Sequence, residues 1–141
     1  MNSSIPFEVP GAVSMAGTTP RDVNASLNLY HILPEDNSEK FILYLHFSEV
    51  QTLSANDIRE FNVMWDENII HTAYSPKLLQ SDTIYNISPI RCINLVCYLE
   101  LVRTERSTLP PLVNAIEAFR VLEFPYAETN PNDGISLFLP T

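Results

Sequence analysis

The sequence predicts an all-β chain folded as an antiparallel β-sandwich, and three observations carry that prediction. Apolar residues alternate with polar ones in a series of short runs, the period of a strand with one buried face. Clusters rich in Pro, Asn, Asp and Ser separate the runs. No helical pattern long enough for a crossover lies between them, which argues against parallel βαβ units.

Composition supports one domain with its own core. The chain has 141 residues, 45% of them apolar and 18% charged, so it is not the sparse, charged sequence of a disordered segment. Its 8 Lys and Arg against 17 Asp and Glu leave a net charge of −9. That balance repels phosphate backbones and acidic lipid surfaces, and excludes nucleic acid as a natural partner. No apolar run reaches the ~20 residues needed to cross a bilayer, so this segment is not expected to insert into a membrane. Met1 to Pro6 has neither the basic nor the apolar region of a signal peptide.

Taken in order, Pro6 to Pro20 carries three prolines and two of the three glycines, and reads as an extended, looping lead-in. Ser26 to Tyr30 alternates. Lys40 to Phe47 is a dense apolar run, and Phe61, Val63 and Trp65 share one face of a third strand. Leu33 to Glu39 is a polar turn, and Asp66-Glu67-Asn68 has the composition of a hairpin connection. Leu53 to Glu60 suits either a loop or one helical turn capped by Ser54. Gln80 to Tyr85 reads as a short strand and Cys92 to Val102 as the longest. Ala115 to Phe124 carries apolar groups on both faces, predicting a strand covered on both sides. Pro110-Pro111 fixes φ and lacks N–H donors, so it forms a rigid lead into that strand.

Cys92 and Cys97 fall within one predicted strand. At ~3.3 Å per residue a straight strand holds their Cα atoms about 16 Å apart, against the roughly 4.4–6.8 Å of a disulfide, so they read as buried thiols. No second Cys or His pair stands at metal-ligand spacing.

Candidate chemistry is sparse. A glycosidase needs two carboxylates facing across a cleft, and Glu49, Asp57, Glu60 and Glu117 are the available acids. The simpler reading pairs Glu49 and Glu60 with Arg59 or Arg103 and sets Glu117 at the rigid lead-in. His31, His46 and His71 lie in separate segments with no nucleophile elbow, and no kinase signature is present. Sugar-binding modules stack aromatic rings on pyranose faces and rim them with polar groups. Tyr74 and Tyr85 in connecting segments, with Asn68 and Asn86 near them in sequence, are the best-placed candidates. Trp65 closes its strand, either as core beside Phe61 and Val63 or at the same rim. Asn2, Asn24 and Asn86 begin glycosylation sequons, the last followed directly by Pro89.

The run Ser107-Thr108-Leu109-Pro110-Pro111-Leu112-Val113-Asn114-Ala115-Ile116-Glu117 and its continuation Ala118 to Phe124 closely resemble the malectin-like domain of plant leucine-rich-repeat receptor kinases. Tyr44-Leu45-His46-Phe47-Ser48-Glu49, Arg59-Glu60-Phe61-Asn62-Val63 and Glu128-Thr129-Asn130 extend the resemblance in the family's order. The matching motifs are those of the second of two tandem modules, and the pattern departs at Asp133-Gly134. The resemblance implies a jelly-roll-like module over residues 10–133, preceded by a lead-in at 1–9 and followed by a divergent tail at 134–141. It implies a non-catalytic extracellular binding module of a receptor ectodomain, needing no cofactor. Its partners would be a cell-wall oligosaccharide or a signalling peptide, a sister malectin module and other receptor chains. The alternative it implies is a structural spacer packing on that sister module and positioning leucine-rich repeats.

Overall fold

The computed structural model describes residues 10–32, 34–92 and 96–123. Among the described residues one helical turn, Gly11–Ser14, precedes eight strands: β1 (Leu27–Ile32), β2 (Lys40–Phe47), β3 (Phe61–Trp65), β4 (Asn68–Tyr74), β5 (Asp82–Tyr85), β6 (Ile90–Arg91), β7 (Cys97–Arg103) and β8 (Ala115–Val121). They form two antiparallel sheets. The first has the order β1-β7-β3-β4. In the second, β2 is central, with β5 and then β6 along one edge and β8 along the other.

Side-chain alternation in β2 explains the sandwich. Phe41, Leu43, Leu45 and Phe47 are buried and face Phe61, Val63 and Trp65 of β3 and Leu99 and Leu101 of β7. A corner of three rings closes one end, with centroids 4.9 Å apart for Phe47 and Tyr74 and 5.6 Å for Phe61 with each of them. Phe47 belongs to the second sheet and the other two rings to the first, so this corner joins the layers.

Several local expectations need correction. Cys92 and Cys97 form a disulfide with a Cα separation of 4.8 Å. The predicted long strand is divided: β6 ends at Arg91 in the second sheet and β7 begins at Cys97 in the first, so the straight-strand spacing does not apply and the bond ties the two sheets together. The loop reading of Leu53 to Glu60 holds, with the Ser54 N–H bonded to Asp57 Oδ2 at 2.9 Å. The segment carrying Tyr74 is a strand, β4, paired with β3 through two register shifts. Ala73 there adopts φ 50° and donates its N–H to Asn62 Oδ1. β8 pairs only with β2 among the described residues and exposes Glu117 to Arg120, so it is not covered on both sides. The expected tail at 134–141, the boundary at Asp133, Phe124 and the sequon residue Asn2 lie outside the described residues.

Two asparagines complete the backbone pairing of β2. Where β5 ends and β6 has not begun, Asn86 Oδ1 accepts the Leu43 N–H at 2.7 Å, and its amide nitrogen donates to the Phe41 and Ser88 carbonyls. Asn114, just before β8, accepts the Ser48 N–H and donates to the carbonyls of Ser14 and Ala16, fastening the N-terminal segment to the sheet. The Pro110-Pro111 lead-in is held from below. Arg59 donates to the Pro110 carbonyl, and Val113 makes an antiparallel bridge with Thr18.

Candidate functional site: the outer face of the second sheet

Directly opposed residues in a sheet point to the same side. Because Leu43 and Leu45 face the core, the alternate positions Lys40, Ile42, Tyr44 and His46 face outward. The pairing sets Thr83 and Tyr85 of β5 and Ala115, Glu117, Phe119 and Val121 of β8 beside them. Three zones follow along β2.

At one end, His46 is 3% exposed and held between neighbours, Nδ1 lying 2.9 Å from Thr83 Oγ1 and Nε2 3.0 Å from Glu117 Oε2. Next comes an aromatic strip. Tyr44 stacks on Tyr85 with centroids 5.6 Å apart and ring planes 22° from parallel, and Phe119 meets Tyr44 edge-on at 5.7 Å. Tyr85 and Phe119 are each 48% exposed. The far end is charged. A cleft of about 390 Å³ is lined by Glu39, Lys40, Arg91, Arg120, Leu122 and Glu123, among others. Lys40 is ion-paired with Glu123, whereas Arg120, opposite core-facing Phe41, belongs to the other side of the sheet at this edge and lies 3.0 Å from Glu39. The hydrogen bond and charge of Lys40, with Arg91 beyond, hold the Glu123 carboxyl below its usual range.

The residues singled out from the sequence do not form one rim. Tyr74 is buried in the ring corner, its hydroxyl 3.3 Å from Asp82 Oδ2, and burial foremost pushes its phenol upward from the ordinary range. Trp65 is buried with its indole N–H on the Arg91 carbonyl. Neither ring is available to stack on a ligand. Asn68 is exposed at the β3–β4 hairpin, on the other sheet from Tyr85. Tyr85 alone of the four lies on the strip. Its companions, Tyr44 and Phe119, were legible as outward positions only once the strand pairing was known.

The acidic residues have separate local roles. Glu49 is buried against Arg59, Glu60 accepts from Thr104 Oγ1 at 2.7 Å, Asp57 caps its own loop, and Glu117 holds His46 rather than the proline lead-in. His71 bonds the adjacent Thr72 carbonyl, and the side chain of His31 is outside the described residues. Among the described residues no group of three His, Cys, Asp or Glu is arranged to hold a metal, and no helix is long and apolar enough to cross a membrane.

A family model described as the malectin-like domain matches residues 1–121. Two probable LRR receptor-like serine/threonine-protein kinases of Arabidopsis thaliana are similar to the chain. One is 56% identical over 94% of the chain and the other 41% identical over 97%. A receptor-like protein kinase from the same plant is 41% identical over 94%. The chain spans only about 15–16% of the length of these relatives. No solved structure matches it. The match over most of its length, together with the antiparallel sandwich, places this chain in the malectin-like domain family.

Proposed function

We propose that this chain is a non-catalytic, extracellular carbohydrate-binding module of a receptor-kinase ectodomain, and that it binds saccharide on the outer face of the second sheet. The observation that carries the reading is the strip of Tyr85, Tyr44 and Phe119, two of its rings half exposed and aligned across three neighbouring strands. A flat array of rings suits the apolar faces of pyranoses, while Glu117 beside it supplies a hydroxyl acceptor. The receptor context comes from the family and from relatives whose names describe receptor-like kinases. Asn24, exposed in the loop before β1, is the sequon best placed to carry glycan.

Each stacked ring contributes roughly 0.5–1.5 kcal/mol beyond area burial, so a site with two accessible rings binds weakly, near the millimolar level that corresponds to about −4 kcal/mol. Calorimetric titration with cell-wall oligosaccharides tests this. Tyr85→Ala with Phe119→Ala removes binding while leaving the thermal midpoint nearly unchanged. Equal binding by wild type and double variant, or no binding by wild type at millimolar ligand, rejects the site.

A second reading, a spacer docked on a sister module, draws on the opposite layer. Ile69 and Tyr98, each about half exposed, lie on the outward side of the first sheet with Met64 between their strands. Concentration-dependent self-association or apolar-dye binding that Ile69→Lys abolishes supports this reading, and a monodisperse monomer without dye binding opposes it.

A further inference from the structure

We propose that β8 is a pairing edge, and that two copies of this chain join along it as an antiparallel, twofold-symmetric dimer. The surface is the free margin of the second sheet, which the carbohydrate reading leaves unused.

A strand at a sheet edge presents unpaired N–H and C=O groups, and natural proteins blunt such edges with bulges, shortness, proline or charge. Among the described residues the other edges here are blunted. β1 carries a register shift between Asn28 and Tyr30, β4 carries two, β5 is four residues long and β6 is two. β8 is different. It holds seven consecutive pairs with β2 without a shift, pairs with no other strand among the described residues, and contains neither proline nor lysine. Its two charged side chains, Glu117 and Arg120, are engaged by His46 and Glu39 of the same chain. Its apolar residues lie open on both faces: Phe119 is 48% and Leu122, just past its end, 61% exposed, and Ala118 is exposed although it pairs with core-facing Leu43.

The residues along this edge complement a second copy of themselves. Antiparallel pairing of a strand with its own copy creates a twofold axis, and opposed residues must share a face, so the choice reduces to which residue lies on the axis. Glu117 or Arg120 on the axis would set like charges against each other. Ala118 on the axis would set Ile116 against Arg120 and Phe119 against Glu117. With Phe119 on the axis the two Phe119 rings meet, Ile116 of each copy meets Leu122 of the other, and Arg120 lies over the small Ala118. This register covers the exposed apolar groups on both faces and keeps both charges off their own copies. The two second sheets then run on as one, through β5, β2 and β8 of one copy into β8, β2 and β5 of the other.

One strand pair is small beside a standard interface and is expected to hold weakly, so the full chain is tested by sedimentation over a concentration series and by cross-linking. Directly opposed Cα atoms lie about 4.5–5.5 Å apart, within disulfide reach, whereas Glu117 and its copy fall four residues out of register, about 13 Å at ~3.3 Å per residue. Phe119→Cys is therefore expected to give a covalent dimer on mild oxidation, and Glu117→Cys is not. Wild type is expected to dimerise as concentration rises, while Phe119→Lys and, separately, Leu122→Lys remain monomers with the wild-type circular dichroism spectrum. A wild type that stays monomeric at millimolar concentration, with no cross-link through Phe119→Cys, overturns the dimer. Equal cross-linking through Glu117→Cys and Phe119→Cys overturns the register and its twofold axis. Self-association that Ile69→Lys abolishes and Leu122→Lys leaves intact assigns the contact to the first sheet and overturns the β8 edge.

Discussion

The Arg59 guanidinium lies 2.6 Å from Glu49 Oε2, and both side chains are almost wholly buried, 3% and 2% exposed. Around this pair three segments meet. Arg59 also donates to the Pro110 carbonyl and to Gln51 Oε1, while Glu49 bridges in parallel to Leu78 and accepts the Gln51 N–H. Removing one partner strands a buried charge, which costs about 3–5 kcal/mol. Arg59→Met is therefore expected to lower the urea midpoint severely, and Glu49→Leu combined with Arg59→Met to recover much of that loss. A single-variant loss below about 1 kcal/mol would show that water reaches the pair.

The strand that organises the fold is β2, and the energetic contrast with β8 is measurable. Leu43 is 1% exposed in the middle of β2, so Leu43→Ala is expected to cost about 2–5 kcal/mol. Ile116 is only partly buried on an edge strand, and Ile116→Ala should cost about 1 kcal/mol. Chemical denaturation of both variants decides the ranking, and a larger loss at Ile116 contradicts the strand order described above.

The apolar residues on both faces of Ala115 to Val121 illustrate what sequence patterning reads and where it stops. Ile116 packs against the core, but Phe119 belongs to a half-exposed aromatic strip. In sequence, an apolar functional surface and a second core face look the same, because alternation records hydrophobicity and not what covers it. Six strands, β1, β2, β3, β5, β7 and β8, were readable from alternation and turns, with β7 expected to begin five residues early at Cys92. β4 was not, because its residues are exposed except at Ile70 and Tyr74 and so lack a regular period. The disulfide was missed for a geometric reason: Cys92 and Cys97 were measured along one strand when the chain passes from one sheet to the other between them. Tyr85 was found from sequence as a candidate. Lys40, Arg91 and Glu123 were not, since only pairing across β2 brings them together.

Asn86 gives a prediction in which two readings of one motif compete. Its side chain replaces a missing strand residue beside β2, and both amide hydrogens are used. Glycosylation would consume one of them. Material secreted from a eukaryotic host is expected to carry glycan at Asn24 and not at Asn86, as peptide mapping can determine. Asn86→Ala leaves the Leu43 N–H and Phe41 carbonyl of the central strand without partners, a loss of roughly 1–3 kcal/mol. Full occupancy of Asn86 by glycan, with stability unchanged, would refute the ladder-filling role.

Tyr74 makes stability depend on alkaline pH. Burial, then the charge of Asp82 and the hydrogen bond to it, raise the phenol above the ordinary value of about 10. A raised folded value means that the neutral phenol is favoured in the native state. This contribution is complete below pH ~10 and is lost as pH rises through the folded value, because the unfolded chain releases its proton first. Tyr74→Phe keeps the ring packing against Phe47 and Phe61 and gives up one hydrogen bond, about 1 kcal/mol near neutral pH. Its urea midpoint should therefore lie below wild type near pH 7, and the gap should narrow or reverse by about pH 11. The two proteins differ at this one side chain, so the difference between the two curves isolates Tyr74. Parallel curves across this range would mean that the phenol ionises without opposing the fold, and that the corner where Phe47, Phe61 and Tyr74 join the two sheets is open to solvent.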